Sequence, residues 1–171
     1  MRRPEPEDDV DRSLMAKIDV HGWAVLIIGS DPDEGLPGFH YSAGIYQRTG
    51  KPELILIGLG FEVGHWVVNE YARRCVVGET FEPGKTYEGF LEAHLVTFVP
   101  VDWRVASSEY TTWTAWYYRS EGFPLLQLVW PDSQTRSFPW QTGFREELKA
   151  AQPVLGQRSS GTHRTARKSR A

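Results

Sequence analysis

Apolar residues fall along this chain in short dense runs separated by breaks rich in Gly, Pro and Asp. Leu14, Met15 and Ile18 within DRSLMAKI recur at helical spacing, which predicts a short amphipathic helix over 11–18 that opens at an Asp or Ser cap and stops by Gly22. Trp23–Ile28 is a nearly continuous apolar run of strand length, and the turn-rich stretch 29–38 follows it. Phe39–Tyr46 reads as a second strand, 47–52 as a loop and Glu53–Leu59 as a third strand. Their connections are shorter than a parallel crossover needs, so the three should be antiparallel neighbours.

From Phe61 the period changes. Val63, Val67, Tyr71 and Cys75, with Val68, Ala72 and Val76 beside them, mark the apolar face of a helix over 61–77, while Glu62, His65, Asn69 and Arg73 share its other face. Short strand material around Thr86–Leu91 leads into a clear strand, His94–Val101, ending near Pro100. A further helix is predicted from a Ser107 or Ser108 cap to Tyr118, a buried strand over Pro124–Trp130, and a terminal helix over Gln141–Ala151 that stops before Pro153. The order gives an α+β fold with a mainly antiparallel sheet of about five to six strands and three to four flanking helices.

Composition places the chain among globular proteins: 40% of its 171 residues are hydrophobic, and seven Trp, seven Tyr and eight Phe offer large buriable surfaces. We divide it into an acidic flexible leader over 1–13, a single domain over 14–155 and a disordered basic tail over 156–171. The net charge of -3 hides an uneven distribution, because Leu14–Leu155 holds eleven basic and seventeen acidic residues, whereas the tail carries five Arg or Lys and no acid. Nucleic acid is therefore expected to engage at most the tail. No apolar run reaches the ~20 residues that span a bilayer, and no apolar segment follows the first basic residues, so no membrane contact is expected. With Cys75 as the sole cysteine, no internal disulfide can form, and a cytoplasmic setting fits.

Candidate chemistry is sparse. His40-Tyr41-Ser42-Ala43-Gly44 is one residue from Gly-x-Ser-x-Gly, yet a nucleophile elbow needs a strand, a sharp turn and a helix, and here the serine lies within a predicted strand with His where the turn wants Gly. Small residues at 42–44 instead suggest close packing over that part of the sheet. The histidines lack metal-ligand spacing, and Glu62-x-x-His65 has no second such pair, so no metal is expected. His21 stands at an element end, where an imidazole can serve as general base or simply tie down a turn. Glu53, between Pro52 and an apolar strand, reads either as a buried acid with a raised pKa or as a solvated loop residue. Gln127, amid Leu125–Trp130, needs hydrogen-bond partners from backbone or from a ligand. Tyr110, Trp113, Trp116, Tyr117 and Trp130 suit core packing or stacking on a planar ligand. Gly58-Leu59-Gly60 before a helix is the nearest approach to a phosphate loop, with Glu62 in the first turn opposing an anion.

His21-Gly22-Trp23, Phe39–Ile45, Pro52–Ile55, Gly58-Leu59, Asn69, Gly78, Gly84 and Pro139-Trp140 together resemble the bacterial domain-of-unknown-function family numbered 4262, over roughly residues 18–155. Ser42 and Ile45 stand where that family commonly has Thr and Leu. The resemblance implies a small bacterial α+β domain with no catalytic residue to carry over. The strand pair is also similar to that of suppressor-of-fused-like domains, some of which serve as immunity or interaction modules. Two functions are expected to compete: a non-catalytic module that binds a protein partner, and a small-ligand site, flavin being its sharpest form, built by His21, Tyr41, Glu53, Asn69 and Gln127 at the ends of the first three strands. Convergence of those five side chains favours the ligand, and dispersal favours the partner.

Overall fold

A computed structural model of the chain describes residues 3–119 and 121–156, so the tail beyond Gly156 lies outside the described residues. In chain order the elements are α1 (Asp9–His21), β1 (Ala24–Ile28), β2 (Phe39–Ala43), α2 (Ile45–Thr49), β3 (Glu53–Ile57), α3 (Phe61–Val76), β4 (Thr86–Leu91), β5 (His94–Val101), α4 (Trp103–Ala106), α5 (Thr112–Tyr117), β6 (Leu125–Val129) and α6 (Glu147–Ala151). The six strands form one sheet in the order β1-β2-β3-β6-β5-β4. Every pairing is antiparallel except β3 with β6. That parallel pair sits at the centre because the chain leaves β3, builds α3, the β4–β5 hairpin, α4 and α5, and only then returns.

All positions of β2, β3 and β6 are buried, since helices cover both faces of the sheet. Alternation along the strands sorts their side chains into two layers. Leu54, Leu56, Leu126 and Leu128 pack with Val67, Val68, Tyr71 and Ala72 of α3 and with an aromatic group around Phe81, Phe90 and Phe98. Phe39, Tyr41, Ile55 and Ile57 face the opposite way, against Leu14 and Ile18 of α1 and the aromatic side chains of α5.

Several boundaries differ from those read in the sequence. Helix α1 begins at Asp9, inside the stretch assigned to the leader, because Asp8 caps it by accepting from the Asp11 N–H. Strand β2 ends at Ala43 instead of Tyr46: Gly44 adopts a left-handed φ of 102°, turns the chain into α2, and lies so close to the α1–β1 junction that a Cβ would sit 2.9 Å from the Gly22 carbonyl oxygen. The close packing expected over residues 42–44 is this contact. The helix expected over 107–118 is confined to α5, and a separate short helix that was not expected, α4, precedes it with Asp102 as its cap. The terminal helix is confined to α6, because Asp132 holds both the backbone N–H and the guanidinium of Arg145 in the preceding turn. Helices α2 and α4 bring the described total to six where three to four were expected.

Candidate functional site

The five polar residues singled out in the sequence do not meet. His21 is exposed at the end of α1, its ring free of hydrogen bonds among the described residues, and the turn it was thought to secure is closed by the Gly22 N–H donating to the Ile18 carbonyl. Tyr41 is buried under α1 and α5, stacked on Phe39. Asn69 lies on α3, where Oδ1 accepts from Trp23 Nε1 at 2.9 Å and Nδ2 donates to the His65 carbonyl. Gln127 shares a row of the sheet with Tyr41 across Ile55, yet its amide donates to the Pro153 carbonyl at 2.7 Å and accepts from the Leu155 N–H at 2.8 Å. It anchors the segment after α6 to the sheet, through the backbone partners that a buried amide requires.

Glu53 is neither a loop residue nor open to solvent. It is completely buried at the start of β3, and its carboxylate accepts from four donors: Ser42 Oγ at 2.5 Å, the N–H groups of Gly44 and Tyr46 at 2.9 and 3.0 Å, and the Tyr118 hydroxyl. Tyr118 Oη also accepts from the Gly44 and Gln47 N–H groups, so α5 is joined to α2 through this corner. The β2–β3 ladder ends at Tyr41 and Ile55, and Ser42 Oγ accepts the Leu54 N–H beyond it. Ser42 is itself fully buried, which removes it as a nucleophile and makes it part of the strand pairing. Burial pushes the Glu53 carboxyl up, while the Ser42 and Tyr118 hydroxyls and the two N–H groups pull it back down. It has no ion-pair partner among the described residues.

His40 occupies the opposite end of β2, 2% exposed. Its Nε2 lies 3.2 Å from the Phe61 carbonyl, and a carbonyl only accepts, so Nε2 carries the proton. Nδ1 has no partner and rests against Gly64 of α3, where a Cβ would come within 2.4 Å of the ring. Burial pushes the imidazole pKa down, consistent with a neutral ring wedged between strand and helix. A cleft of about 440 Å³ opens beside it, lined among others by Gly29, Gly38, Gly58, Gly60 and Phe61. Glu62 occupies the first turn of α3 there and opposes anion binding.

Of the aromatic set of α5, Tyr117 is buried and Trp113 and Trp116 are half-buried against the core. Trp113 packs on both Trp116 and Tyr117, and Trp130 donates to the Ile57 carbonyl. Among the described residues no three His, Cys, Asp or Glu side chains gather as they would around a metal ion, and no helix is long and apolar enough to cross a membrane.

An opening of different character lies between the N-terminal half of α3 and the edge strand β4. It is a groove of about 580 Å³ walled by Val63, Trp66, Phe90 and Leu91, with Glu62 and Glu92 at its margins. Val63 and Trp66 are each 47% exposed, and Phe61 beside them is 68% exposed. Val63 was read as part of the buried stripe of the helix. It lies instead over Gly89–Glu92, where β4 is bulged and the sheet ends. Trp66 carried no signal of its own, because an apolar residue beside a helical stripe looks the same whether or not a neighbour covers it.

The sheet clad on both faces, with its polar side chains turned to holding its own strands and an apolar flank left open, defines a small three-layer α+β domain. The chain belongs to the family described as Domain of unknown function (DUF4262), whose profile matches residues 17–145. No curated protein and no solved structure matches it.

Proposed function

We propose that this domain is a non-catalytic interaction module of the bacterial cytoplasm, with the groove between α3 and β4 as its docking face. One contrast supports the reading. The buried polar groups that chemistry would draw on, Ser42, Glu53 and Gln127, are engaged in closing the fold, whereas large apolar side chains at the groove stay in contact with water. Exposed apolar patches of this kind commonly mark protein contacts. A photo-crosslinking amino acid at position 66, compared with one at the exposed Val105 of α4, tests the proposal in the native host. A discrete crosslinked protein from position 66 alone is expected; no product from position 66, or the same products from both positions, overturns it.

The second reading, a small ligand, draws on the glycine-lined cleft beside His40. In its flavin form it requires bound colour or a melting temperature raised by added flavin. A colourless protein indifferent to flavin removes that form.

A further inference from the structure

Resting on that interaction reading, we infer that the occupant of the α3–β4 groove is a partner segment that inserts one or two large apolar side chains between Trp66 and Leu91 and sets Lys or Arg residues over Glu62 and Glu92. Charge complementarity argues for the second half. Glu62, Glu92 and the neighbouring Glu88 have no ion-pair partner among the described residues, whereas Glu70, Glu79 and Glu82 close by are paired with Arg73, Arg74 and Lys85. Arg74 lies over the Phe90 ring and is already held by Glu79, and Arg136 donates to the Ala93 carbonyl at the β4–β5 turn. The margins of the groove are thus uncompensated acids around an apolar floor, and a segment carrying both apolar and cationic side chains satisfies the two together.

The mode of attachment follows from the edge. A bare edge strand invites another strand to extend the sheet, but β4 is bulged between Tyr87 and Leu91, and Arg74 donates to the Glu88 carbonyl at 2.9 Å. Bulge and guanidinium together block continuous pairing at that point, so recognition falls to side chains. The basic residues of 157–171 match the charge of the groove, yet that stretch holds no residue more apolar than Ala166 and Ala171, so it cannot fill the floor.

The test uses the full-length protein and three short fluorescent peptides: a Leu-Phe pair flanked by Lys, the same pair flanked by Glu, and a Ser-Ser pair flanked by Lys. Anisotropy should show the first binding at least about tenfold more tightly than either other, weakening as salt rises. Trp66→Ala should abolish its binding, and Glu62→Gln with Glu92→Gln should weaken it about fivefold or more. Equal binding of the Glu-flanked peptide overturns the charge assignment, and equal binding of the Ser-Ser peptide overturns the apolar one. Displacement by a free peptide of residues 157–171 at comparable concentration assigns the groove to the chain's own tail and overturns the proposal. If no peptide binds while position 66 still crosslinks a protein, this inference fails and the interaction reading stands; if neither occurs, both fail.

Discussion

The two ends of α3 handle water in opposite ways. Toward its C-terminal end, where the Tyr71 hydroxyl donates to the Pro52 carbonyl, the neighbouring corner contains a carboxylate, two hydroxyls and several N–H groups, and solvent reaches neither the Glu53 carboxylate nor Ser42. Toward its N-terminal end, Val63 and Trp66 are apolar and half open. Polar chemistry has been sealed and apolar surface left exposed, the reverse of what burial of apolar surface alone favours. The sealed end is explained by folding: each donor at the β2–α2 turn has to be satisfied once buried, and Glu53 satisfies most of them. Folding supplies no comparable reason for the open end.

The largest effect that could break this contrast is loss of the Glu53 carboxylate. Glu53→Ala leaves Ser42 Oγ, the Gly44 and Tyr46 N–H groups and the Tyr118 hydroxyl without their shared acceptor, and unsatisfied buried groups cost about 1 to 3 kcal/mol apiece. A destabilisation of about 3 to 5 kcal/mol in urea unfolding is expected, enough to threaten the fold of a domain this size. Glu53→Gln keeps one acceptor oxygen and should cost about 1 to 2 kcal/mol. A loss under about 1 kcal/mol for the alanine variant would mean that the corner is not closed in solution.

The corner also has a pH signature whose sign can be checked against a second buried carboxylate. Burial raises the folded pKa of Glu53, so its contribution is fully present below the unfolded carboxyl range and is lost as pH rises through the folded value. Asp132 is the opposite case: the Arg145 guanidinium, with the N–H groups of Gln134, Arg145 and Thr135, holds its carboxyl below the usual range. Its contribution is present above the unfolded pKa and is lost as pH falls toward the folded one. Urea midpoints measured across pH should therefore change slope in opposite senses in Glu53→Gln and Asp132→Asn. Parallel changes would contradict the assigned environments.

Gly64 is an intermediate case, because it shows how tightly the open end is built on its inner side. A methyl group there meets the His40 ring, and the ring, held by its bond to the Phe61 carbonyl, has little room to yield. Gly64→Ala should cost about 1 to 3 kcal/mol, against the gain of up to about 1 kcal/mol that alanine brings to a helix. Combination with His40→Ala should be markedly non-additive. Additive costs would show that the two residues do not press on each other.

How far these features could be read in advance depended on how local they were. The first three strands and α3 follow from runs and periods a few residues long, and the backbone partners of Gln127 follow from the need to satisfy an amide on a buried strand. The burial of Glu53 was one of two readings that nothing local decided between, since it stands after a proline like a loop residue and is sealed by Tyr118, a partner distant in sequence. Helix α2 was hidden because Ile45 and Tyr46 have strand-like side chains, and only the turn at Gly44 decides otherwise. The parallel pairing of β3 with β6 was equally hidden, because nothing local records which strand returns to the centre. The groove was the least legible feature, since Val63 and Trp66 fit a helix whether the adjoining strand covers them or stops short.

The smallest expected effect on stability is also the one that separates the two ends most cleanly. Glu62 and Glu92 are exposed and have no ion-pair partner among the described residues, so replacing both by Gln should leave unfolding within about 0.5 kcal/mol of the parent. The same Glu-to-Gln change at position 53 removes an acceptor oxygen from a corner where four donors depend on it, and the protein should register it in its unfolding curve. At the groove the change removes charge whose one use within the described fold is the weak attraction of Glu62 to the N-terminus of α3, so its main consequence should appear in binding. If the double Gln variant instead unfolds as readily as Glu53→Gln, the rim acids support the fold, and the open end has a structural role of its own.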